Sequence, residues 1–211
     1  MQATQVFIKA AIILLVLSPA RSFCLQQDIG IECGELSAGE TRKHTQTYTL
    51  HKSQHKIAVE IEMHRLQEAK PTRCNVRWTV FSGNKELKEL FHYSKQLEDE
   101  IAGVDAPSTS PDGTKLLVPL WTAEGDYTDH LPAVFDSKTH RSYVREIAER
   151  ITKHLPSCDY STIVGNLNNQ GQVLLYVPKS QYGDEHFCPN QGKWLLNIKT
   201  DRIVRLKKRM G

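Results

Sequence analysis

The sequence predicts a mainly β protein of repeated antiparallel four-stranded meanders, shaped as a propeller-like arc or a curved sandwich, with one short helix near residues 146–155. Three observations lead there. Apolar residues alternate with polar ones, as in Ile57, Val59, Ile61, Met63 and in Cys74, Val76, Trp78, Val80, the period of a strand with one buried face. Turn-forming residues cut these runs at Gly83-Asn84, Asp112-Gly113 and Asn169 to Gly171. Two long stretches also repeat the same features in the same order.

From the N-terminus, Lys9 precedes an unbroken apolar run from Ala10 to Leu17. A membrane-spanning helix needs about 20 apolar residues, so this run fits the core of a secretory signal peptide. Pro19 breaks it, and Ala20 and Ser22 supply the small side chains that a signal peptidase reads, which places cleavage before Phe23. Residues 1–22 are therefore expected to be a signal peptide, and residues 23–211 a single mature β-rich domain that is secreted or periplasmic. Nothing later in the sequence is apolar enough to predict a membrane span.

Of the 27 Lys and Arg residues, two (Lys9 and Arg21) lie in the signal segment, leaving 25 against 24 Asp and Glu. Near-neutrality argues against a nucleic-acid binder, which must neutralise a field of phosphates. Five cysteines remain after cleavage, Cys24, Cys33, Cys74, Cys158 and Cys188, and an oxidising destination favours disulfides. Cys158 with Cys188 flank one repeat, and Cys33 is left to pair with Cys74 or Cys24. No Cys/His spacing of a zinc site is present.

The repeats are expected near 44–93, 98–147 and 159–208. The second contains SPDGTKLLVPLWTAEGDYTDHLPAVFDSKTHR and the third NNQGQVLLYVPKSQYGDEHFCPNQGKWLLNIKTDR. They match at Val118-Pro119 with Val177-Pro178, Gly125-Asp126 with Gly183-Asp184, His130 with His186, and Lys138-Thr139 with Lys199-Thr200. The first copy is fainter, a strand from Lys56 to Met63, another ending Val80-Phe81, and a turn at Gly83-Asn84-Lys85. The turn Ser110-Pro111-Asp112-Gly113 followed by Leu116-Leu117-Val118 resembles the blades of TolB-type, WD40-like β-propellers. That resemblance implies a scaffold for protein contacts and carries over no catalytic residue.

Tyr143, Ile147, Ile151 and Leu155 recur at helical spacing. The repeat alignment, however, pairs Arg141–Ile147 with the strand Arg202–Leu206, so the expectation is a strand first and then a helix from about 146 to Pro156. The last ten residues gather Arg202, Arg205, Lys207, Lys208 and Arg209, which reads as a solvated terminal strand or as a foot for an anionic surface or acidic partner.

Candidate chemistry lies in the two aligned loops, Asp126, Asp129 and His130 in one and Asp184, Glu185 and His186 in the other. Stacked repeats would bring them to one edge. Carboxylates with imidazoles suit a divalent cation or acid–base work, and equally suit ordinary turns. Trp121, Tyr127, Tyr182 and Phe187 add an aromatic character that suits protein or peptide recognition. No cofactor is required, a divalent cation being the one these donors would accept. No GxSxG elbow, HExxH helix or Gly-rich phosphate loop occurs. The balance favours an exported protein-binding or inhibitor-type domain over catalysis. The partner is expected to be a protein or peptide in the cell envelope or outside. A metal-dependent or acid–base hydrolase using residues 125–130 and 183–186 is the alternative.

Overall fold

The computed structural model describes residues 30–49, 56–67, 70–83, 86–124, 127–155, 163–177, 190–200 and 202–206. Among these residues the strands form three antiparallel sheets, two of four strands and one of six; the six-stranded sheet takes in a strand from before residue 44 and so is not the four-stranded meander expected over 98–147. The first sheet has the order β2-β3-β4-β5, from Thr41–Thr49, Lys56–Arg65, Arg73–Gly83 and Lys88–Glu98. The second runs β1-β6-β8-β9-β10, from Ile31–Glu32, Ile101–Val104, Lys115–Glu124, Tyr127–Asp136 and Arg141–Ser142, with β7 (Ser108–Thr109) paired to β8. The third runs β11-β12-β13-β14, from Ile163–Leu167, Gln172–Val177, Gly192–Asn197 and Arg202–Arg205. The fold is mainly β, with one helix, α1, at Val144–His154.

Side-chain alternation explains how the sheets stack. Ile57, Val59, Ile61 and Met63 of β3, with Cys74, Val76, Trp78 and Val80 of β4, share one buried cluster with Leu116, Val118 and Leu120 of β8. The residues between them on β8 and β9, Leu117 and Val134, belong to a second cluster with Ile147, Leu167, Val173, Leu175 and Leu196. Successive strand residues point to opposite faces, so the middle sheet is covered on both sides. That is why Lys115 to Leu120 are buried without interruption, whereas β2, at the edge of the first sheet, alternates between exposed and half-buried positions. The Trp78 indole joins the first two sheets directly, Nε1 donating to the Gly103 carbonyl of β6 at 3.0 Å.

Cys33 is disulfide-bonded to Cys74, with both residues fully buried and their Cα atoms 5.9 Å apart. This bond fixes the segment after β1 to β4, while β1 itself pairs with β6. Residues 1–29, with the expected signal peptide, and Cys24, Cys158 and Cys188 lie outside the described residues.

One boundary differs from the sequence reading. The expected strand over 141–147 stops at Ser142, and the helix begins at Val144, before the expected 146. Tyr143 and Ile147 are buried, and the Ile147 N–H donates to the Tyr143 carbonyl at 3.0 Å, starting the helical ladder. Glu146 lies in the first turn and Lys153 and His154 in the last, charges that suit the helix dipole. Arg150 then donates to the carbonyls of Asn197 and Ile198, both at 2.9 Å, tying the helix to the third sheet. The repeat alignment carries a strand into this segment because it compares single residues; the packing of the apolar stripe against the seam between two sheets decides for the helix.

Candidate functional site

At one end of the second and third sheets the matched turns are physically joined. Gly113 N–H donates to the Ser110 carbonyl at 2.8 Å and Gly171 N–H to the Asn168 carbonyl at 3.1 Å. Both glycines have positive φ, +69° and +77°, a conformation that costs other residues most. The turns then bond to each other: Asp112 N–H donates to Asn169 Oδ1 at 2.9 Å, and Lys115 Nζ to the Asn169 carbonyl at 2.9 Å. The following matched turns agree as well. Asp136 Oδ1 accepts from the N–H groups of Lys138 and Thr139, and Asn197 Oδ1 accepts from those of Lys199 and Thr200. The internal repeat is thus a repeat of turn chemistry, in which a side-chain oxygen caps the loop.

The acids here are structural. The Ser110 hydroxyl, 2.6 Å from Asp112 Oδ1, together with the Thr114 N–H and hydroxyl, favours the charged carboxylate and holds Asp112 down to about 2. Asp136 is buried, and the Lys199 ammonium reaches to 3.9 Å of its Oδ2.

Strands β8 and β12 both lead away from this joined end. The hairpin of β8 and β9 carries the sequence candidates to its far tip: Trp121 lies opposite His130, Thr122 opposite Asp129, and Glu124 opposite Tyr127. Gly103 of β6 lies opposite Trp121 on the other side. The indole fills the space over this glycine so fully that a Cβ there would approach Trp121 Cζ2 to 2.0 Å. Trp121 is half-buried and spends much of its surface on this packing. His130 is 15% and Asp105 38% exposed, and His130 Nε2 lies 3.2 Å from Asp105 Oδ2. His130 Nδ1 is buried with no hydrogen-bond partner among the described residues. Asp129, its neighbour, is exposed.

Sequence reasoning missed Asp105. Its role depends on where β6 ends: the Asp105 N–H donates to the Pro119 carbonyl at 2.9 Å, and Pro119 itself lies opposite Pro132. Proline cannot donate to a ladder, so these two face each other where β6 stops, and the Asp105 carboxylate reaches diagonally across the gap to His130. A lone aspartate in a loop carries no sequence signal of that kind.

The structure therefore brings Trp121 and His130 together on one face of the hairpin near its far end, and turns Asp129, which lies opposite Thr122, to the other face. Asp126, Tyr182, Asp184, Glu185 and His186 lie outside the described residues, as does the Tyr127 side chain. Among the described residues no group of three or more His, Cys, Asp and Glu side chains is placed to hold a metal ion, and no helix is long and apolar enough to cross a membrane. Comparison with known proteins gives no relative to argue from: no protein family, no curated protein and no solved structure matches the chain.

Proposed function

We propose that this chain is an exported binding or inhibitor-type domain, its signal peptide removed before Phe23, that captures a protein or peptide in the cell envelope or outside the cell. Three stacked meanders forming a propeller-like arc would present the tips of the β8–β9 and β12–β13 hairpins along one rim. The observation that carries this reading is the bonded pair of turns at Ser110–Lys115 and Asn168–Gln172, from which β8 and β12 set out together. The buried Cys33–Cys74 disulfide supports an oxidising destination. Trp121 and His130 offer an aromatic and polar surface of the type used in recognition.

The test is a pull-down with the tagged mature protein from the envelope and medium of the secreting cell, comparing wild type with Asp129→Ala, His130→Ala and Tyr182→Ala at equal thermal stability. A stoichiometric protein partner lost in these variants supports the proposal; a partner retained by all three overturns it.

A second reading, the hydrolase, rests on His130, whose Nε2 lies 3.2 Å from the partly exposed Asp105 carboxylate as in a carboxylate–imidazole pair; its Nδ1 is buried, so Nε2 would have to meet the substrate or metal ion. One equivalent of bound metal, with a hydrolytic activity lost in both His130→Gln and Asp184→Asn, would favour that hydrolase.

A further inference from the structure

The two outermost sheet faces of the molecule have opposite characters. On β2 and β3 of the first sheet, the face turned away from the buried cluster is ion-paired, Lys43 lying 3.5 Å from Glu60 and also pairing with Glu62. On the third sheet the corresponding face is apolar. Its rows follow from the register: Leu174, Leu195 and Val204 lie side by side across β12, β13 and β14. Tyr176 and Lys193 make the next row, extended by Leu206, whose N–H donates to the Lys193 carbonyl at 2.8 Å. Val204 is 54%, Leu206 41% and Tyr176 40% exposed, three of the four large apolar side chains that stand out from the surface among the described residues.

Among the described residues of this face the charged side chains are basic. Lys193 and Arg202 are exposed at its border, and the sequence continues after Leu206 with Lys207, Lys208 and Arg209, which lie outside the described residues. From residue 190 to the end there are seven Lys and Arg (193, 199, 202, 205, 207, 208 and 209) against the single acid Asp201. Two of the seven are engaged elsewhere: Lys199 reaches Asp136, and Arg205 stacks over the Trp194 ring at 5.6 Å on the opposite face.

Charge decides between occupants. A second copy brought onto this face would crowd its Lys193 and Arg202 near those of the first, and like charges brought close repel. An anionic partner removes that cost. Apolar side chains projecting singly from a broad face inside a cationic border match an interfacial membrane site, where shallow insertion adds to attraction by acidic headgroups. Tyr176, the exposed aromatic side chain here, fits the same site, since Tyr rings favour the headgroup level of a bilayer, while Trp194 is turned inward to the second cluster.

We propose that the outer face of the third sheet, centred on Tyr176, Val204 and Leu206 and bordered by Lys193 and Arg202, docks on an anionic lipid surface.

The test is co-sedimentation of the full chain with vesicles of phosphatidylglycerol and phosphatidylcholine in equal parts, and with phosphatidylcholine alone, at low and at high salt. The expected result is a preference for the acidic vesicles that fades as salt shortens the Debye length from about 10 Å toward about 3 Å. Removing a basic residue near such a surface weakens partition about fivefold, so Lys193→Gln with Arg202→Gln should lose on the order of 25-fold. Val204→Asn with Leu206→Asn should weaken binding at both salt levels. Any binding by the apolar run Ala10–Leu17 would be blind to these substitutions. An acidic-vesicle preference unchanged in the Lys193/Arg202 variant, or no such preference at low salt, overturns the proposal. So does wild-type protein that ignores the vesicles yet binds immobilised polyglutamate through the same residues, which would make this an acidic-protein site.

Discussion

Removing the Cys33–Cys74 cross-link by the double substitution Cys33→Ala, Cys74→Ala should destabilise the protein chiefly through its unfolded state. The two residues are 41 apart in sequence. Closing a loop of that length lowers the entropy of the unfolded chain by about 13 cal/mol/K in the chain-entropy treatment, or about 4 kcal/mol at 25 °C. Both sulfurs also sit in the buried cluster with Leu36, Met63 and Leu97, so the alanines leave small voids that add to the loss. The double variant is preferable to either single one, because a lone thiol could exchange with Cys24, Cys158 or Cys188. Urea unfolding followed by tryptophan fluorescence measures the change. The midpoint should fall while the slope rises, since an unfolded chain without the cross-link exposes more surface. A loss below about 1 kcal/mol, far under the loop-closure value, would refute the reasoning. It would mean that the segment after β1 is held by its pairing to β6 and gains nothing from the covalent bond.

Two further outcomes follow from the sheets. Gly103→Ala places a methyl 2.0 Å from Trp121 Cζ2, so it should displace the indole from β6 and lower stability by about 1–3 kcal/mol, as overpacking does; thermal unfolding reports the loss, the difference in tryptophan emission between variants with and without Trp121 reports the displaced indole, and Trp121→Leu should relieve the clash. Asp112, held down to about 2 by Ser110 and Thr114, should stabilise the fold above the ordinary carboxylate pKa of about 3.9 and lose that contribution as pH falls toward 2. Wild type and Asp112→Asn, compared by chemical unfolding across that range, should therefore converge in acid.

The alternation of Ile57 to Met63 and of Cys74 to Val80 shows which face of each strand is buried, because the pleat allows only that pattern to hide apolar side chains from water. The Gly113 and Gly171 turns were legible too, since their positive φ restricts the residue type. One disulfide partner was not fixed by spacing: Cys33 chose Cys74 over Cys24 only because β1 pairs with β6 and brings Cys33 beside β4. The start of α1 likewise depended on the seam that Tyr143 and Ile147 fill. At the candidate site the sequence picked out Trp121 and His130 from their place in a repeated loop. It gave no sign of Gly103 beneath the indole or Asp105 beside the imidazole, since those neighbours arrive from a different strand. What this sequence determines by itself is therefore periodic or local, strand faces and turn types, because such preferences act within a few residues. Tertiary structure alone decided the pairings made across sheets, namely which cysteine, which carboxylate and which sheet face meets a partner, because these depend on how distant strands stack.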